Sequence, residues 1–237
     1  MSWSLKEKAD RLLGQEEGTV RKDWGGRVSF ALVYPNTYAV GMSNLGFQTI
    51  YHHLNALSDV ACERVFLPDP EDLAEYRRTG TVPFSLESKR PLSEFDFVGF
   101  SITYEGDYIH TLRLLAMAGI PLSPATRRPE DPIVLMGGVC AFANPEPIAP
   151  FMDFIVVGEG EEVVREIIDA YRGAFGGKAW SVRRRADLWD RLQEIPGVYL
   201  PQRYSVRYHP DGTIAAVTPE AGAPAIVRKR RLQDVND

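Results

Sequence analysis

Residues 28–57 read VSFALVYPNTYAVGMSNLGFQTIYHHLNAL, and the reading of this stretch decides the fold. Val28 to Tyr34 is a nearly continuous apolar run, the pattern of a strand covered on both faces. Pro35-Asn36-Thr37 ends it. Leu45 to Leu57 then carries apolar residues at helical spacing.

The alternation continues outward. Cys62 to Leu67 is a second strand candidate, and Pro70 to Arg78 a short helix with proline and two acids in its first turn. Phe95 to Thr103 is a third strand, followed by a helix over Ile109 to Ala118 that Gly119 and Pro121 stop. Ile133 to Met136 is a fourth strand ended by Gly137-Gly138, and Phe154 to Val157 a fifth. Gly158-Glu159-Gly160 leads into a helix from Glu161 to about Phe175. Five short apolar strands separated by helices predict an α/β fold, a doubly wound parallel five-stranded sheet. A flavodoxin-like strand order, 2-1-3-4-5, is one of the two common choices.

Three segments follow. Residues 1–24 read as an N-terminal helical arm, with Leu5, Ala9, Leu12 and Leu13 on one stripe, and Gly25-Gly26 breaks the chain after it. Residues 25–177 hold the sheet, which is expected to finish near Gly177. Residues 178–237 form an extension: a charged helix over Trp180 to Leu192, then a hairpin whose strands flank Asp211-Gly212, then a connector ending IVRKRRLQDVND.

Composition bounds the function. The chain has 237 residues, with Lys+Arg 27 against Asp+Glu 32, and its net charge of -5 argues against nonspecific binding to nucleic acid or anionic membranes. No apolar run is long enough for a membrane span, and the N-terminus has no secretory h-region, so a cytoplasmic protein with reduced thiols is expected. Cys62 and Cys140 cannot build a disulfide framework, a three-Cys iron–sulfur site or a four-Cys zinc site.

In an open parallel sheet, ligands bind outside the carboxyl ends of the strands. That rule selects the loops at Pro35 to Tyr38, Pro68-Asp69, Tyr104 to Asp107, Gly137 to Pro147, and Gly158 to Glu161. No GxGxxG follows the first strand and no GxxxxGK[ST] occurs. Glu159, Glu161 and Glu162 read as helix-start stabilisers or as part of a ligand rim, and they would repel phosphate, so a nucleotide binder is disfavoured. His52, His53, His110 and His209 match no metal motif and read as structural; His110 is nearest the ligand edge. Cys140 has apolar neighbours and reads as a packed small residue. Asp96 and Asp153 sit at strand starts, the wrong edge for a site, whereas Glu105 and Glu146 sit at the right edge with no spacing that marks an acid/base pair. The residues thus describe a doubly wound domain with a ligand edge and no catalytic constellation.

Four stretches carry a resemblance: YPNTYAVGMSNLGFQTIYHHLN, CERVFLPD, PFSLESKRPLSEFDFVGFSITYE and GGVCAFANPEPIAPFMDFIVVGEGEE. Together they resemble the N-terminal part of cobalamin-binding-domain radical SAM proteins, in particular a group of uncharacterised bacterial members. The resemblance runs from Trp24 to about Arg172. It implies a Rossmann-like cobalamin domain that precedes a radical SAM barrel, whose CxxxCxxC holds a 4Fe–4S cluster that binds S-adenosylmethionine. No such motif occurs here. The resemblance therefore implies an N-terminal fragment or truncated gene, not catalytic alone, whose partners are cobalamin or another corrinoid and the barrel of the parent chain.

The DxHxxG loop that supplies a cobalt-binding histidine in many cobalamin domains is also missing. The resemblance places the corrin over the strand ends. Pro35, Asn36 and Thr37 would line its lower face beside Tyr104 and Glu105, and the nucleotide tail would pass Ser101 and Thr103. Gly137, Gly138 and Gly158 would give clearance, with Glu159 and Gly160 in the adjoining turn and Glu159 accepting from corrin amides or ribose. Two local alternatives stand: Tyr104 caps the core, and Asn36 caps the following helix. A degenerate docking domain that no longer binds cobalamin is the rival reading.

Overall fold

Residues 2–176 and 182–232 are described in the structure, a computed structural model. Trp180, the expected start of the charged helix, and the end of the connector lie outside the described residues.

The elements in chain order are α1 (Trp3–Gly14), β1 (Val28–Tyr34), α2 (Tyr38–Met42), α3 (Leu45–Ala56), β2 (Val60–Phe66), α4 (Leu73–Thr79), β3 (Phe97–Ser101) and α5 (Asp107–Met117). They continue with β4 (Ile133–Gly137), α6 (Val139–Ala143), β5 (Phe154–Val156), α7 (Val163–Phe175), α8 (Val182–Leu192) and β6 (Val198–Tyr199), and end in a hairpin of β7 (Tyr204–Tyr208) and β8 (Ile214–Pro219).

The sheet has the order β2-β1-β3-β4-β5-β6. The first five strands are parallel, in the flavodoxin-like order. Registers such as Val28↔Val60 and Phe30↔Phe97 keep the apolar runs level across the sheet. The sheet does not finish near Gly177. After α8 the chain returns, and β6 pairs antiparallel with β5 through Ile155↔Tyr199 and Val156↔Val198. This sixth strand covers the edge that β5 would otherwise expose.

Side chains alternate between two cores, as the strand period requires. Phe30, Leu32, Phe97 and Phe154 pack with Phe47 and Leu54 of α3 and Ile167 and Ile168 of α7. Ala31, Val33, Val98 and Met136 pack with Leu114 and Leu115 of α5 on the other face. The charged α8 lays Leu188 and Leu192 into the first core.

The opposite edge is closed by the N-terminal helix. α1 buries Leu5, Ala9 and Leu13 against Phe84 and Leu86. The segment around Leu86 runs beside β2, its N–H donating to the Arg64 carbonyl at 2.7 Å. No helix among the described residues is long and apolar enough to cross a membrane.

Candidate functional site

The strand order reverses between β1 and β3, and the crevice at such a switch point is where open α/β sheets hold ligands. A cleft of ≈ 350 Å³ opens there, between the sheet and the helices α3 and α7. Its floor is Leu32 of β1, Gly99 and Ser101 of β3, and Leu135 of β4; Ile50 of α3 and Ile167 of α7 form its walls. The size is that of a small-molecule site, and the lining is mostly apolar with a few polar groups at the mouth.

Seven of the residues expected from the sequence line this cleft: Ser101, Thr103, Gly137, Gly138, Gly158, Glu159 and Gly160. Thr103 is fixed by a 2.9 Å hydrogen bond between its Oγ1 and the Tyr34 hydroxyl, which ties the ends of β3 and β1 together. Gly138 has φ of 96°, and a Cβ there would meet the Ile102 carbonyl oxygen at 2.6 Å, so no other residue fits this turn.

The other five lie outside the cleft lining, at the neighbouring loops. The Pro35 carbonyl lies 3.1 Å from His110 Nδ1. Asn36 Nδ2 donates to Asp107 Oδ1 at 3.0 Å, and its Oδ1 accepts from the Thr37 N–H at 2.9 Å. Asn36 is therefore no helix cap; that role falls to Asn44, which accepts from the Phe47 N–H at the start of α3. Thr37 holds the turn into α2 without a side-chain cap. Tyr104 is exposed, its ring folded over Gly106, so it does not cap the core. Glu105 is exposed beside it.

Gly158 and Glu159 meet a partner from their own chain. Gly158 pairs in parallel with Arg230, and its positive φ leaves the room that the Arg230 backbone occupies. The Glu159 carboxylate accepts from the Leu232 N–H. Glu161, two residues on, faces differently: it lines the cleft, and its Oε2 is buried with no hydrogen-bond partner among the described residues. An unpaired carboxylate oxygen in a dry place is costly unless something donates to it.

Two further groups at this edge escaped the list of expected site residues. Asp107, 3% exposed, collects Asn36 Nδ2 and His110 Nδ1 on one oxygen. His110 Nδ1 lies 3.1 Å from Asp107 Oδ1 and 3.1 Å from the Pro35 carbonyl. The spacing of Asp107 and His110, one helical turn apart, was the available signal. Cys140 is buried in α6, and burial pushes its thiol above the ordinary range, which disfavours the thiolate. Among the described residues, no group of three or more His, Cys, Asp or Glu is placed to hold a metal ion.

The carboxyl edge of the sheet carries an apolar rim. Val40, Leu45, Tyr104, Ile109, Val139 and Phe142 are all exposed, each follows the carboxyl end of a strand, and Val139 and Phe142 also line the cleft. Exposed apolar residues gathered at one edge mark a surface that something covers.

Fold and cleft together define a domain of the doubly wound α/β class with an open cleft at the switch point of its sheet. A family model for the N-terminal region of radical SAM proteins matches residues 46–201, and the chain belongs to that family. The chain is also similar to an uncharacterized protein of Methanocaldococcus jannaschii, 25% identical over 141 residues that make up 59% of this chain. That stretch covers 26% of the archaeal protein, so the chain spans about a quarter of the relative it matches. No solved structure matches the chain.

Proposed function

We propose that this domain is the cofactor-holding module of a radical SAM protein and that its cofactor is a corrinoid, cobalamin. The cleft carries the reading. It is open above the first, third and fourth strands, has glycines at its mouth, and has one buried carboxylate oxygen waiting for a donor. Large side chains filling that space would have favoured a degenerate domain instead.

The residues fit such a group. The nucleotide tail is narrow enough for the cleft, where Ser101 and Thr103 offer hydroxyls and Glu161 accepts from a ribose hydroxyl or an amide. The corrin is too broad for the cleft and is left at the strand ends, against the exposed rim. When bound, the corrinoid supplies cobalt chemistry, of which methyl transfer is one form. The chain's own residues bind and orient it, and the glycines keep backbone clear of it. The rim left over would face the radical SAM domain.

The test is a titration of the purified chain with hydroxocobalamin, then desalting and a visible spectrum. Retention near one corrinoid per chain is expected. Gly137→Leu is the control: a Cβ there meets nothing closer than Val156 Cβ at 3.9 Å, so the side chain fills open cleft rather than core. It should weaken retention by roughly tenfold or more, a loss of about 1.4 kcal/mol, with unchanged thermal stability. No retention by the folded wild-type chain would sink the reading. It would leave the exposed rim as the surface of a docking domain.

A further inference from the structure

Asp107, His110, Asn36 and the Pro35 carbonyl form a cluster with a definite chemical sense. His110 Nδ1 faces two groups, the Asp107 carboxylate and the Pro35 carbonyl, each at 3.1 Å. Both are acceptors, so Nδ1 carries the ring proton. The tautomer that this geometry selects has its lone pair on Nε2. Asp107 is itself buried and steadied by Asn36 Nδ2 at 3.0 Å, so the carboxylate holds one position and the ring one tautomer. The His110 side chain is 36% exposed, so the ring is reachable from solvent. An imidazole that donates one N–H to a carboxylate or carbonyl, with its other nitrogen left basic, is how proteins prepare a histidine for a transition metal.

Its place in the fold gives the ligand. The Pro35 carbonyl is at the end of β1, and His110 is in the first turn of the helix after β3, so the ring bridges the two strands at the point where strand order reverses. The other three histidines lie elsewhere: His52 and His53 in the second half of α3, and His209 in the hairpin turn. The loop after β1 holds no histidine.

We infer that His110 is the axial nitrogen ligand that this domain offers to the cobalt of a corrinoid, positioned by Asp107; the inference rests on the corrinoid reading above. The ligand reaches the switch point from the β3–α5 side rather than from the loop after β1. Ligation adds one Co–N bond and displaces the water or benzimidazole that held that position. Cobalt keeps its oxidation state, and no proton moves, because Nδ1 keeps its own.

Electron paramagnetic resonance of the chain loaded with cob(II)alamin reads this bond directly. One axial nitrogen splits each cobalt line into a triplet when it is nitrogen-14 and into a doublet when it is nitrogen-15. The protein is grown with nitrogen-15 histidine and loaded with unlabelled cobalamin. The expected result is the doublet. His110→Gln should abolish it while the corrinoid is still retained, because the tail stays in the cleft. Asp107→Asn should lower the histidine-ligated fraction by about tenfold or more, the usual scale for losing a group that orients a metal-binding imidazole.

A triplet in the labelled wild type means the benzimidazole stays on cobalt, and it overturns the inference alone. Retention with no nitrogen splitting overturns it in the same way. A wild-type chain that retains no corrinoid overturns this inference and the reading beneath it together. The labelled wild-type measurement needs no variant to fold.

Discussion

Asp153 is 3% exposed, and its Oδ2 accepts from Arg127 Nη1 at 2.7 Å and from the Val134 N–H at 2.8 Å. Asp96 does the same work at the start of β3, accepting from the Ser29 N–H and hydroxyl and from the Tyr171 hydroxyl. Both carboxylates close backbone donors at the amino edge of the sheet, which is why they stand away from the site. Asp153→Ala leaves a buried guanidinium without its carboxylate and should cost about 3–5 kcal/mol in urea unfolding. Asp153→Asn, which keeps an acceptor for Val134, should cost less. Strand position alone places these two residues at the amino edge, away from the site. Of two neighbouring glutamates the sequence resemblance names Glu159 as the acceptor, whereas the structure gives the Glu159 carboxylate to the Leu232 N–H and leaves Glu161 Oε2 unpaired in the cleft lining among the described residues. Both lie in one GEGEE run, and what separates them is where residues 230 to 232 come back, some seventy positions later. No local pattern encodes that return.

The five parallel strands are legible as elements because each is a short apolar run between turn residues. β6 is not, because two residues carry no periodicity and the strand exists only through its pairing with β5. The docking of α1 was equally hidden. Glu16 and Arg64 look like ordinary surface charges in the sequence, yet Arg64 is 2% exposed and bonds Glu16 Oε2 at 2.7 Å and Glu87 Oε1 at 2.7 Å. Glu16 also accepts from the Tyr38 hydroxyl at 2.7 Å. Burial pushes the Glu16 carboxyl up, but the bonds from Arg64, Tyr38 and Thr19 outweigh it and hold it below its ordinary value of 4.5. A depressed carboxyl contributes stability that is full above the unfolded value and lost as pH falls through the folded one. The hold on α1 should therefore weaken in acid, below the 4.5 of the free group. Glu16→Gln at neutral pH should mimic that loss at about 2 kcal/mol, the scale of a hydrogen bond to a charged group. Hydrogen exchange should then quicken in α1 and stay slow in β1 and β3. Equal quickening throughout would mean that α1 and the sheet open as one unit.

At the scale of the whole molecule, the segment around Arg230 is tied to the carboxyl edge of the sheet. Arg230 donates from Nη1 and Nη2 to the two oxygens of Glu166, at 2.9 and 2.6 Å, and from Nη2 to Glu162 at 2.9 Å. Its backbone N–H donates to the Val157 carbonyl at 2.8 Å, and its carbonyl accepts from the Glu159 N–H. Lys229 sits 3.7 Å over the Phe142 ring. The segment after the hairpin thus lies along the end of β5 as a strap, and one guanidinium neutralises two of the acids around the start of α7. A paired fork of this kind is geometrically selective and stronger than a neutral bond. Removing it leaves Glu159, Glu162 and Glu166 to repel one another while the backbone pairs alone hold the strap. Arg230→Ala should release residues 226–232, and the amides of Glu159 and residue 230 should exchange roughly tenfold faster or more, matching a loss of at least about 1.4 kcal/mol. The amides of β4 and β5 should keep their protection, since the paired sheet does not depend on the strap. Unchanged exchange at both strap amides would mean that the Gly158–Arg230 backbone pairing holds the segment without the ion pair.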